Sequence, residues 1–322
     1  MTEKQTENLA SQLQLRKYNP EHTPKQNTIV LTVGGSIAGT LQNFCIATGM
    51  PKVGKSTIIA GLIASSMQFN DVFGIKVTFP PERRGIVYFD TETAEYDFYK
   101  QIDRIKSLAD IQTVPDYFAA FNFREDEPPA ILEFIEHYLK ENLPPVVIID
   151  GLLDCIYDFN DSIASKKLVN LIKRWGKKYN CLIIGVIHQG KTTGGNTLGH
   201  LGAMTDRYAQ TTLEIIRNKD NTFTISPKLL RSDKYFDPIN LINNNGIFSI
   251  IESEKSNLEQ NNNIELMRKV LKAENNYKQL VEDIQEYSGK SLSYAKKVVK
   301  DWIVTGYIVK DGSIYKLAKA IF

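Results

Sequence analysis

The chain has 322 residues, of which 42% are hydrophobic and 24% are charged, and its formal net charge at pH 7 is +2. This is ordinary globular composition, and a charge so close to zero gives no whole-chain argument for a nucleic-acid partner. No apolar run reaches the ~18 residues of a membrane span, and no charged-then-apolar leader opens the chain. The sequence therefore excludes a membrane-spanning class and predicts a cytoplasmic protein.

Charge is unevenly distributed along the chain. Residues 264–322 hold 11 Lys and Arg against 7 Asp and Glu, a net +4, which leaves 28 against 30, or −2, for the remainder. The basic excess is thus assigned to the carboxyl-terminal part. The three cysteines, Cys45, Cys155 and Cys181, form no C-x-x-C pair and no metal spacing, and buried free thiols are predicted.

The first elements lead to a glycine-rich segment. Residues 1–27 are polar with little apolar periodicity and predict a flexible N-terminal arm, which is either disordered or in contact with a neighbouring subunit. A strand is predicted over residues 27–33 and a second over residues 44–48. The segment GMPKVGKS follows at residues 49–56, and helical spacing of apolar residues follows that segment.

The segment 49–56 matches the P-loop pattern G-x-x-x-x-G-K-[ST], and its flanks are the strand and the helix that the mechanism requires. Glycines let the backbone approach a phosphate, and the N–H groups at the start of the helix favour an anion. Lys55 is predicted to reach the β- and γ-phosphates, and the Ser56 hydroxyl to bind Mg²⁺. The alternative, a chance glycine turn, is disfavoured by both flanks. The predicted ligand is ATP with Mg²⁺, bound by Gly49, Met50, Pro51, Lys52, Val53, Gly54, Lys55, Ser56 and Thr57.

Apolar strands and amphipathic helices then alternate. Strands are predicted at residues 85–90, 117–123, 146–150 and 181–187, and helices at residues 94–109, 128–142 and 162–179. This alternation predicts an α/β fold with a parallel sheet covered on both faces. Ligands of such sheets bind at the carboxyl ends of the strands, where Glu92, Asp150 and His188 fall together with the P-loop.

Three of these strand ends carry candidate chemistry. Asp150 ends the run VVIID, which resembles a Walker B segment that delivers a carboxylate to Mg²⁺ through its water shell. Glu92 is the candidate base that polarises the attacking water, although Asp90 and Glu95 lie close enough that the sequence leaves all three open. His188 and Gln189 end the next strand, where Gln189 could sense a γ-phosphate oxygen or form a satisfied core pair with His188.

The chain after residue 189 changes character. Five glycines among residues 190–202 predict a mobile loop, in which Lys191 and His200 are candidate contacts for single-stranded DNA. The alternative is a flexible active-site loop that does not contact DNA. Two hairpins are predicted next, over residues 211–230 and 239–251. The polar residues 252–263 predict an interdomain linker.

Residues 264–322 are predicted to form a domain of their own. Three helices, at residues 264–273, 277–288 and 291–305, precede a two-stranded ribbon at residues 307–309 and 314–317. This order resembles a winged helix, whose third helix could enter a major groove; protein contact is the alternative. The candidate contacts to duplex DNA are Lys290, Lys296, Lys297 and Lys300, with Tyr294 beside them and Lys310 and Lys316 on the ribbon.

Taken in order, GMPKVGKST, YFDTE, VVIID and the strand ending in HQ resemble the RecA-like P-loop ATPase core. Within that group, residues 28–251 are most similar to the RepA-type hexameric replicative helicases of plasmids and mobile elements. The resemblance implies that Glu92 is the catalytic base, that His188 and Gln189 are a sensor before a DNA-facing loop, and that subunits form a ring. It also implies a basic residue from a late strand that completes the neighbour's site. Arg231 fits this role best, with Lys234 and Arg207 as alternatives.

Two departures from that family accompany the resemblance. The P-loop carries Pro51-Lys52-Val53 where many relatives have small residues, and the minimal helicase has no winged helix. Three functions therefore remain as hypotheses: an ATP-driven DNA helicase, an ATP-dependent switch or loader that does not unwind, and a winged-helix regulator whose core only senses nucleotide.

Overall fold

The computed structural model describes residues 3–14, 16–190, 197–220, 222–244, 247–251, 266–267, 269–271, 275–304, 308–312 and 314–317. The chain divides into two compact units, Met1–Ile250 and Ile251–Phe322. Among the described residues no helix has both the length and the apolar composition that would let it cross a bilayer.

The larger unit alternates strands and helices in the way that the sequence predicts. Its helices are α1 (Glu3–Gln14), α2 (Lys55–Gln68), α3 (Glu95–Leu108), α4 (Pro128–Asn142), α5 (Ser162–Lys178) and α6 (Gly199–Tyr208), with a 3₁₀ turn over Leu152–Cys155. Its strands are β1 (Ile29–Val33), β2 (Ser36–Thr40), β3 (Phe44–Gly49), β4 (Ile75–Val77), β5 (Ile86–Asp90), β6 (Phe118–Asn122), β7 (Val146–Asp150), β8 (Leu182–His188), β9 (Thr211–Arg217), β10 (Thr222–Leu230), β11 (Ile239–Asn244) and β12 (Ile247–Ile250).

Nine of these strands form one sheet in the order β12-β11-β10-β9-β3-β8-β7-β5-β6. The six strands from β9 to β6 are parallel, whereas β9 to β12 pair antiparallel as two successive hairpins and the connection between them. Every residue of β3, β5 and β7 is buried, because apolar β-branched runs can be covered on both faces. The predicted α/β fold with a mostly parallel sheet is confirmed.

The two faces of the sheet have separate cores. On one face, side chains of α2 and α3 pack together with those of β1 and β4, as in the cluster of Ile59, Ile63, Ile75 and Ile105. On the other face, α4, α5 and the 3₁₀ turn pack on the sheet, with Trp175 among the buried side chains. The helices α3, α4 and α5 are each held by one apolar side and expose the other side to solvent, whereas nearly all residues of α2 are buried.

The strand register brings the predicted site residues to one edge. Gly49 pairs with His188 across β3 and β8, and Asp90 pairs with Asp150 across β5 and β7. Since all four strands are parallel, their carboxyl ends lie at the same edge, and the loops that follow them converge there.

Several elements differ from the sequence predictions. A small sheet, β2-β1-β4, exists where only the strand β1 was predicted. The strand β2 pairs with β1 across the turn at Gly34 and Gly35, and β4 pairs with β1 although β3 and α2 lie between them in the chain. Residues 1–27 contain the helix α1, whose residues 8–14 are all exposed; the flexibility of this arm stays a prediction. The predicted glycine loop 190–202 is wrong in its last part, since α6 begins at Gly199. Burial of Leu201 and Thr205 one turn apart explains that helix despite its glycines.

The smaller unit has its own hydrophobic core, which includes Leu280, Ile284, Val299 and Trp302. Its described elements are β13 (Asn275–Asn276), α7 (Tyr277–Ser288), α8 (Leu292–Val304), β14 (Ile308–Asp311) and β15 (Ile314–Leu317). The three strands form one sheet in the order β13-β15-β14. The predicted second and third helices and the ribbon are therefore present. The predicted linker 252–263 and most of the first helix, 264–273, lie outside the described residues.

Candidate active site

The P-loop connects β3 to α2 in a conformation that leaves backbone donors available. Gly54, the residue before the helix, has φ of 88°, and Lys52 has φ of 64°. A side chain at Gly54 would be strained at that φ and would also come within 3.2 Å of the Phe223 ring. Among the described residues, none accepts a hydrogen bond from the N–H groups of residues 52–56. A turn at the start of a helix, with several N–H groups that have no acceptor in the described structure, is suited to binding an anion.

Lys55 is the charged centre of this turn. Its side chain is buried, and its ammonium donates to the carbonyls of Gly49 and Met50, both at 2.9 Å, and to Nδ1 of His188 at 2.8 Å. Burial lowers the pKa of Lys55, while the charges of Glu92 and Asp150 oppose that shift. All three directly bonded acceptors are neutral. A buried cation that touches no carboxylate is costly unless an anion binds there.

His188 joins Lys55 to Glu92. An ammonium only donates, so Nδ1 of His188 must be the acceptor and Nε2 carries the proton. That Nε2–H points at the Glu92 carboxylate, 3.0 Å from Oε1 and 3.2 Å from Oε2. Burial pushes the pKa of Glu92 upward, but the hydrogen bond from His188 and the charge of Lys55 outweigh it and lower that pKa. Glu92 is therefore an ionised carboxylate near neutral pH.

The turn after β5 shows why Glu92, rather than its neighbours, faces this chain of hydrogen bonds. Asp90 is fully buried and accepts from the N–H groups of Glu92 and Thr93 at 2.9 and 2.8 Å, and from the hydroxyls of Thr93 and Tyr88. Its carboxylate is thus used in shaping the turn. Glu95 begins α3 and is exposed beside Arg124 and Asp126. Of the three carboxylates left open by the sequence, only Glu92 contacts His188.

The space that Glu92 occupies depends on Gly151. A Cβ atom at Gly151 would lie 2.2 Å from Glu92 Oε1, which is closer than any non-bonded contact allows. Thr91 holds the two strand ends together, since its hydroxyl accepts from the Gly151 N–H at 3.0 Å and its N–H donates to the Asp150 carbonyl at 2.7 Å. The loops after β5 and β7 therefore position Glu92 jointly.

Asp150 lies on the neighbouring strand end with its carboxylate buried. Burial, then the negative charges of Glu92 and Asp90, raise the pKa of Asp150 to about 7. The Tyr88 hydroxyl bridges the two aspartates, at 3.0 Å from Asp90 and 3.2 Å from Asp150. Oδ1 of Asp150 has no hydrogen-bond donor within the described part of the chain. A crowded carboxylate with a free oxygen is the kind of group that a divalent cation stabilises.

These residues fit a magnesium ion that is held mainly by phosphate. No group of three His, Cys, Asp or Glu side chains in the described ranges could hold a metal by itself. Mg²⁺ at triphosphate sites needs only one or two protein oxygens, because phosphates and waters supply the others. Ser56, in the first turn of α2, and Asp150, at the end of β7, would hold it.

Gln189 follows His188 in the chain, but its side chain points toward β9. Its amide donates to Glu214 of β9 at 2.6 Å, and its backbone N–H donates to the Gly49 carbonyl at 3.0 Å. Gln189 also forms an isolated bridge with Thr197, so the two ends of the intervening segment lie side by side. His200 is an exposed residue of α6, and Lys191 lies outside the described residues.

Arg231 lies at the opposite edge of the sheet. It follows Leu230, which pairs with Thr211 at the beginning of β9, and Thr211 in turn pairs with Cys45 near the beginning of β3. The P-loop follows the other end of β3. Arg231 is exposed and donates to the carbonyl of Arg207. Arg207 and Lys234 are also exposed, so none of the three candidates contacts the Lys55, His188 and Glu92 group of its own chain.

Sequence reasoning missed several residues that build the site. They are Tyr88, Thr91, Gly151 and Glu214. Tyr88 and Thr91 lie within the segment YFDTE, but sequence reasoning assigned neither of them a role. For Tyr88 a signal existed, since a tyrosine two residues before Asp90 in a parallel strand lies on the same face. The partner of Gln189 and the role of Gly151 depend on pairings between strands distant in sequence, which no local pattern encodes.

The part of the chain that holds this site is similar to a known family of protein domains. No curated protein matches the chain. Residues 35–194 match the family model described as an AAA domain. The matched region begins at the turn before β2 and contains the P-loop, Glu92, Asp150 and His188, whereas Arg231 and the smaller unit lie beyond it. Residues 35–194, just under half of the chain, are thereby similar to an AAA-type P-loop ATPase domain, which supports nucleotide binding and ATPase activity.

Proposed function

We propose that this protein is an ATP-driven DNA motor, an oligomeric helicase of RecA-like type that serves the replication of a plasmid or mobile element. The observation that carries the nucleotide-hydrolysing part is the buried Lys55 ammonium with only neutral direct partners, linked through His188 to an ionised Glu92. The motor part rests on the RepA-like order of motifs and on the position of Arg231.

Each of these residues has a separate role in the proposed ATP hydrolysis. The N–H groups of residues 52–56 and the Lys55 ammonium bind the triphosphate. Ser56 and Asp150 would hold Mg²⁺, which would supply positive charge beside the phosphate oxygens. Glu92 orients the attacking water and accepts its proton. His188 fixes the Glu92 carboxylate and, because it shares Lys55 with the phosphate, can report whether a γ-phosphate is bound. Tyr88 and Asp90 keep the strand ends in place.

The two edges of the sheet support the proposed subunit arrangement. Arg231 and the P-loop lie at opposite edges, so a single chain cannot bring them together. A head-to-tail ring joins unlike edges of successive subunits, and each Arg231 would then face the neighbour's nucleotide. We infer a ring, with six subunits as the RepA resemblance suggests, in which Lys234 and Arg207 are the alternative donors.

A switch or loader that does not unwind DNA is the second candidate. The compact smaller unit, whose exposed Lys296, Lys297 and Lys300 share the helix α8, favours it. We propose that this unit is a winged helix that contacts duplex DNA. A regulator that only senses nucleotide is disfavoured, because Glu92 and Asp150 together supply the groups for turnover.

Steady-state ATPase measurements with and without single-stranded DNA test the central proposal. Lys55→Ala is expected to abolish turnover, and Glu92→Gln to retain ATP binding while slowing hydrolysis by about 10²–10⁴-fold. Lys100→Ala and Glu95→Gln are the matched controls, since both remove an exposed charge of α3, outside the P-loop. Wild-type turnover in Glu92→Gln would eliminate Glu92 as the base. Unwinding of a forked duplex separates a helicase from a switch.

Mixing two inactive variants tests the ring. Lys55→Ala and Arg231→Ala subunits are each expected to be inactive alone. In mixed rings some interfaces combine an intact Lys55 with an intact Arg231, so part of the ATPase activity should return. If mixtures stay inactive although the subunits exchange, Arg231 does not act between subunits, and the same mixture with Lys234→Ala or Arg207→Ala is the next comparison.

A further inference from the structure

The helix α5 carries a strongly basic surface that the active site does not use. Residues 162–180 contain six Lys and Arg and no Asp or Glu. All six cations are exposed, and we name them the α5 basic face: Lys166, Lys167, Lys173, Arg174, Lys177 and Lys178.

Packing fixes the direction of this face. Leu168, Val169, Ile172 and Trp175 are buried in the core between α5 and the sheet. At 100° per residue, the six cations fall on the opposite side of the helix within about 140°. They form two rows, one with Lys166, Lys173 and Lys177 and one with Lys167, Arg174 and Lys178. The rows extend over roughly 18 Å of helix.

Local stability does not account for the α5 basic face. Lys173 and Lys177, and likewise Arg174 and Lys178, are like charges four residues apart, a spacing that destabilises a helix. Cations favour the last turn of a helix, which explains Lys177 and Lys178 only. The other surface helices of this unit mix the two signs: α3 has the pair Lys106–Asp103 at 3.0 Å, and α4 carries three glutamates and one lysine.

Few acidic groups face these cations. Lys178 pairs with Glu136 of α4 at 3.0 Å, and Lys173 lies over the Tyr208 ring of α6. Within the described ranges, Lys166, Lys167, Arg174 and Lys177 have no carboxylate within ion-pair distance. Four cations are thus held outward on a rigid helix without a partner charge in the described structure.

The shape of the face selects among polyanions. We propose that the α5 basic face binds the phosphate backbone of duplex nucleic acid, independently of base sequence. Exposed Asn170 lies between the two rows and can donate to a phosphate oxygen. Binding of single strands relies on stacking aromatic rings, which the exposed side of α5 lacks. Binding of lipid by a surface helix needs an apolar side to enter the bilayer, and the apolar side of α5 is in the protein core.

Salt-dependent binding to a labelled 20-base-pair duplex tests this proposal with the full chain. The variant Lys167→Gln/Arg174→Gln/Lys177→Gln removes three cations without touching a buried group. Each phosphate contact contributes about 0.9 to the slope of log affinity against log salt, so the slope is expected to become shallower by about 2 to 3. At 100 mM salt we expect affinity to fall by at least about tenfold.

The control is Lys100→Gln/Lys140→Gln/Lys219→Gln, which removes the same charge from exposed positions elsewhere on the larger unit. Its slope should stay near that of the wild type. An unchanged slope in the α5 variant would overturn the proposal. An equal loss of affinity in both variants would also overturn it, because it would show that binding depends only on the net charge of the protein. Binding to anionic phosphatidylserine vesicles but not to duplex would also overturn it. ATPase turnover without DNA is expected to be unchanged in both variants, so this test does not depend on the proposed hydrolysis.

Discussion

Glu92 keeps its position because Gly151, on the adjacent strand end, has no side chain. Gly151→Ala would place a methyl group 2.2 Å from Glu92 Oε1, and the flexible carboxylate is what must move. Displacing a catalytic group by about 1 Å can cost 10²-fold in rate. We expect ATP hydrolysis to fall by about that factor while nucleotide affinity stays within about twofold, as measured by turnover and by equilibrium binding of a fluorescent ATP analogue.

Gly176→Ala is the matched control for that substitution. A methyl group at Gly176 would meet its nearest neighbours at 3.4 Å, an ordinary contact, and alanine is the better helix former by up to about 1 kcal/mol. Turnover should therefore be unchanged and stability equal or higher. Full activity in Gly151→Ala would mean that Glu92 does not need its observed position.

Asp150 makes stability depend on pH. Its pKa of about 7 in the folded protein exceeds the value of about 3.9 in an unfolded chain, so the folded state holds the extra proton between those values. Stability then falls as pH rises from about 4 to about 7 and stays reduced above that. Asp150→Asn removes the buried charge. We expect it to be more stable than wild type at pH 8 by roughly 2 to 4 kcal/mol, and to differ much less at pH 5.

Urea unfolding without nucleotide at the two pH values measures this difference. Asp97→Asn is the control, since it removes an exposed carboxylate from the first turn of α3 and should change stability by only a few tenths of a kcal/mol. Equal midpoints for Asp150→Asn and wild type at pH 8 would show that the buried carboxylate carries no such cost. The gain in stability should coincide with lost metal-dependent turnover, as for other strained sites.

The sequence identified the charged members of the site but could not choose between them. Lys55 follows from the P-loop pattern because the loop geometry fixes both its glycines and its lysine. Asp90, Glu92 and Glu95 were equivalent by position. Tertiary contacts distinguish them. The Asp90 carboxylate accepts hydrogen bonds from the Tyr88 hydroxyl and from the backbone of its own turn, and Glu95 faces solvent.

At the scale of elements, continuous apolar runs were easier to interpret than short or glycine-rich ones. The strands β5, β7 and β8 lie within one residue of their predicted bounds, since runs such as VVIID are too apolar for any exposed position. The helix α6 was missed because glycine is a poor helix former, and it is the packing of α6 against α5 that stabilises it. The strands β2 and β4 depend on pairing with β1 and have no strong pattern alone.

The hairpin β9–β10 is tied to α6 by a partly buried ion pair. The Lys228 ammonium lies 2.9 Å from Asp206, and side chains of both are about one-fifth exposed. Thr197, beside the Gln189 bridge, donates to the same carboxylate at 2.9 Å. Lys228→Met keeps the apolar stem and leaves Asp206 without its cation. Removing one partner of a fully buried pair costs about 3–5 kcal/mol, and partial exposure reduces that to roughly 2 kcal/mol here.

Urea midpoints measured at constant m-value test this expectation. Lys106→Met is the control, because its pair with Asp103 has a carboxylate that is 72% exposed and should contribute less than about 1 kcal/mol. Similar losses in both variants would mean that burial does not strengthen the pair between Lys228 and Asp206.

At the scale of the whole molecule, counting charges over long stretches of sequence concealed the α5 basic face. Counting charges over large blocks assigned the basic excess to residues 264–322, because acidic residues elsewhere cancel the six cations of α5. The period of the helix and the buried side of α5 are needed to see that these cations share one face. The division into two compact units falls after Ile250, whereas the sequence predicted a linker over residues 252–263, a prediction that lies outside the described residues.

Each unit has a separate hydrophobic core and one of the two tryptophans. Trp175 is 1% exposed in the larger unit and Trp302 is 2% exposed in the smaller. Since independent cores unfold independently, we expect heating to give two transitions. Trp302→Phe leaves Trp175 as the reporter of the larger unit, and Trp175→Phe leaves Trp302 as the reporter of the smaller.

ATP with Mg²⁺ at about 100 times its dissociation constant should stabilise the larger unit alone, by about 2.7 kcal/mol. Coincident transitions in the two variants, or an equal shift of both with ATP, would show that the chain unfolds as one cooperative unit.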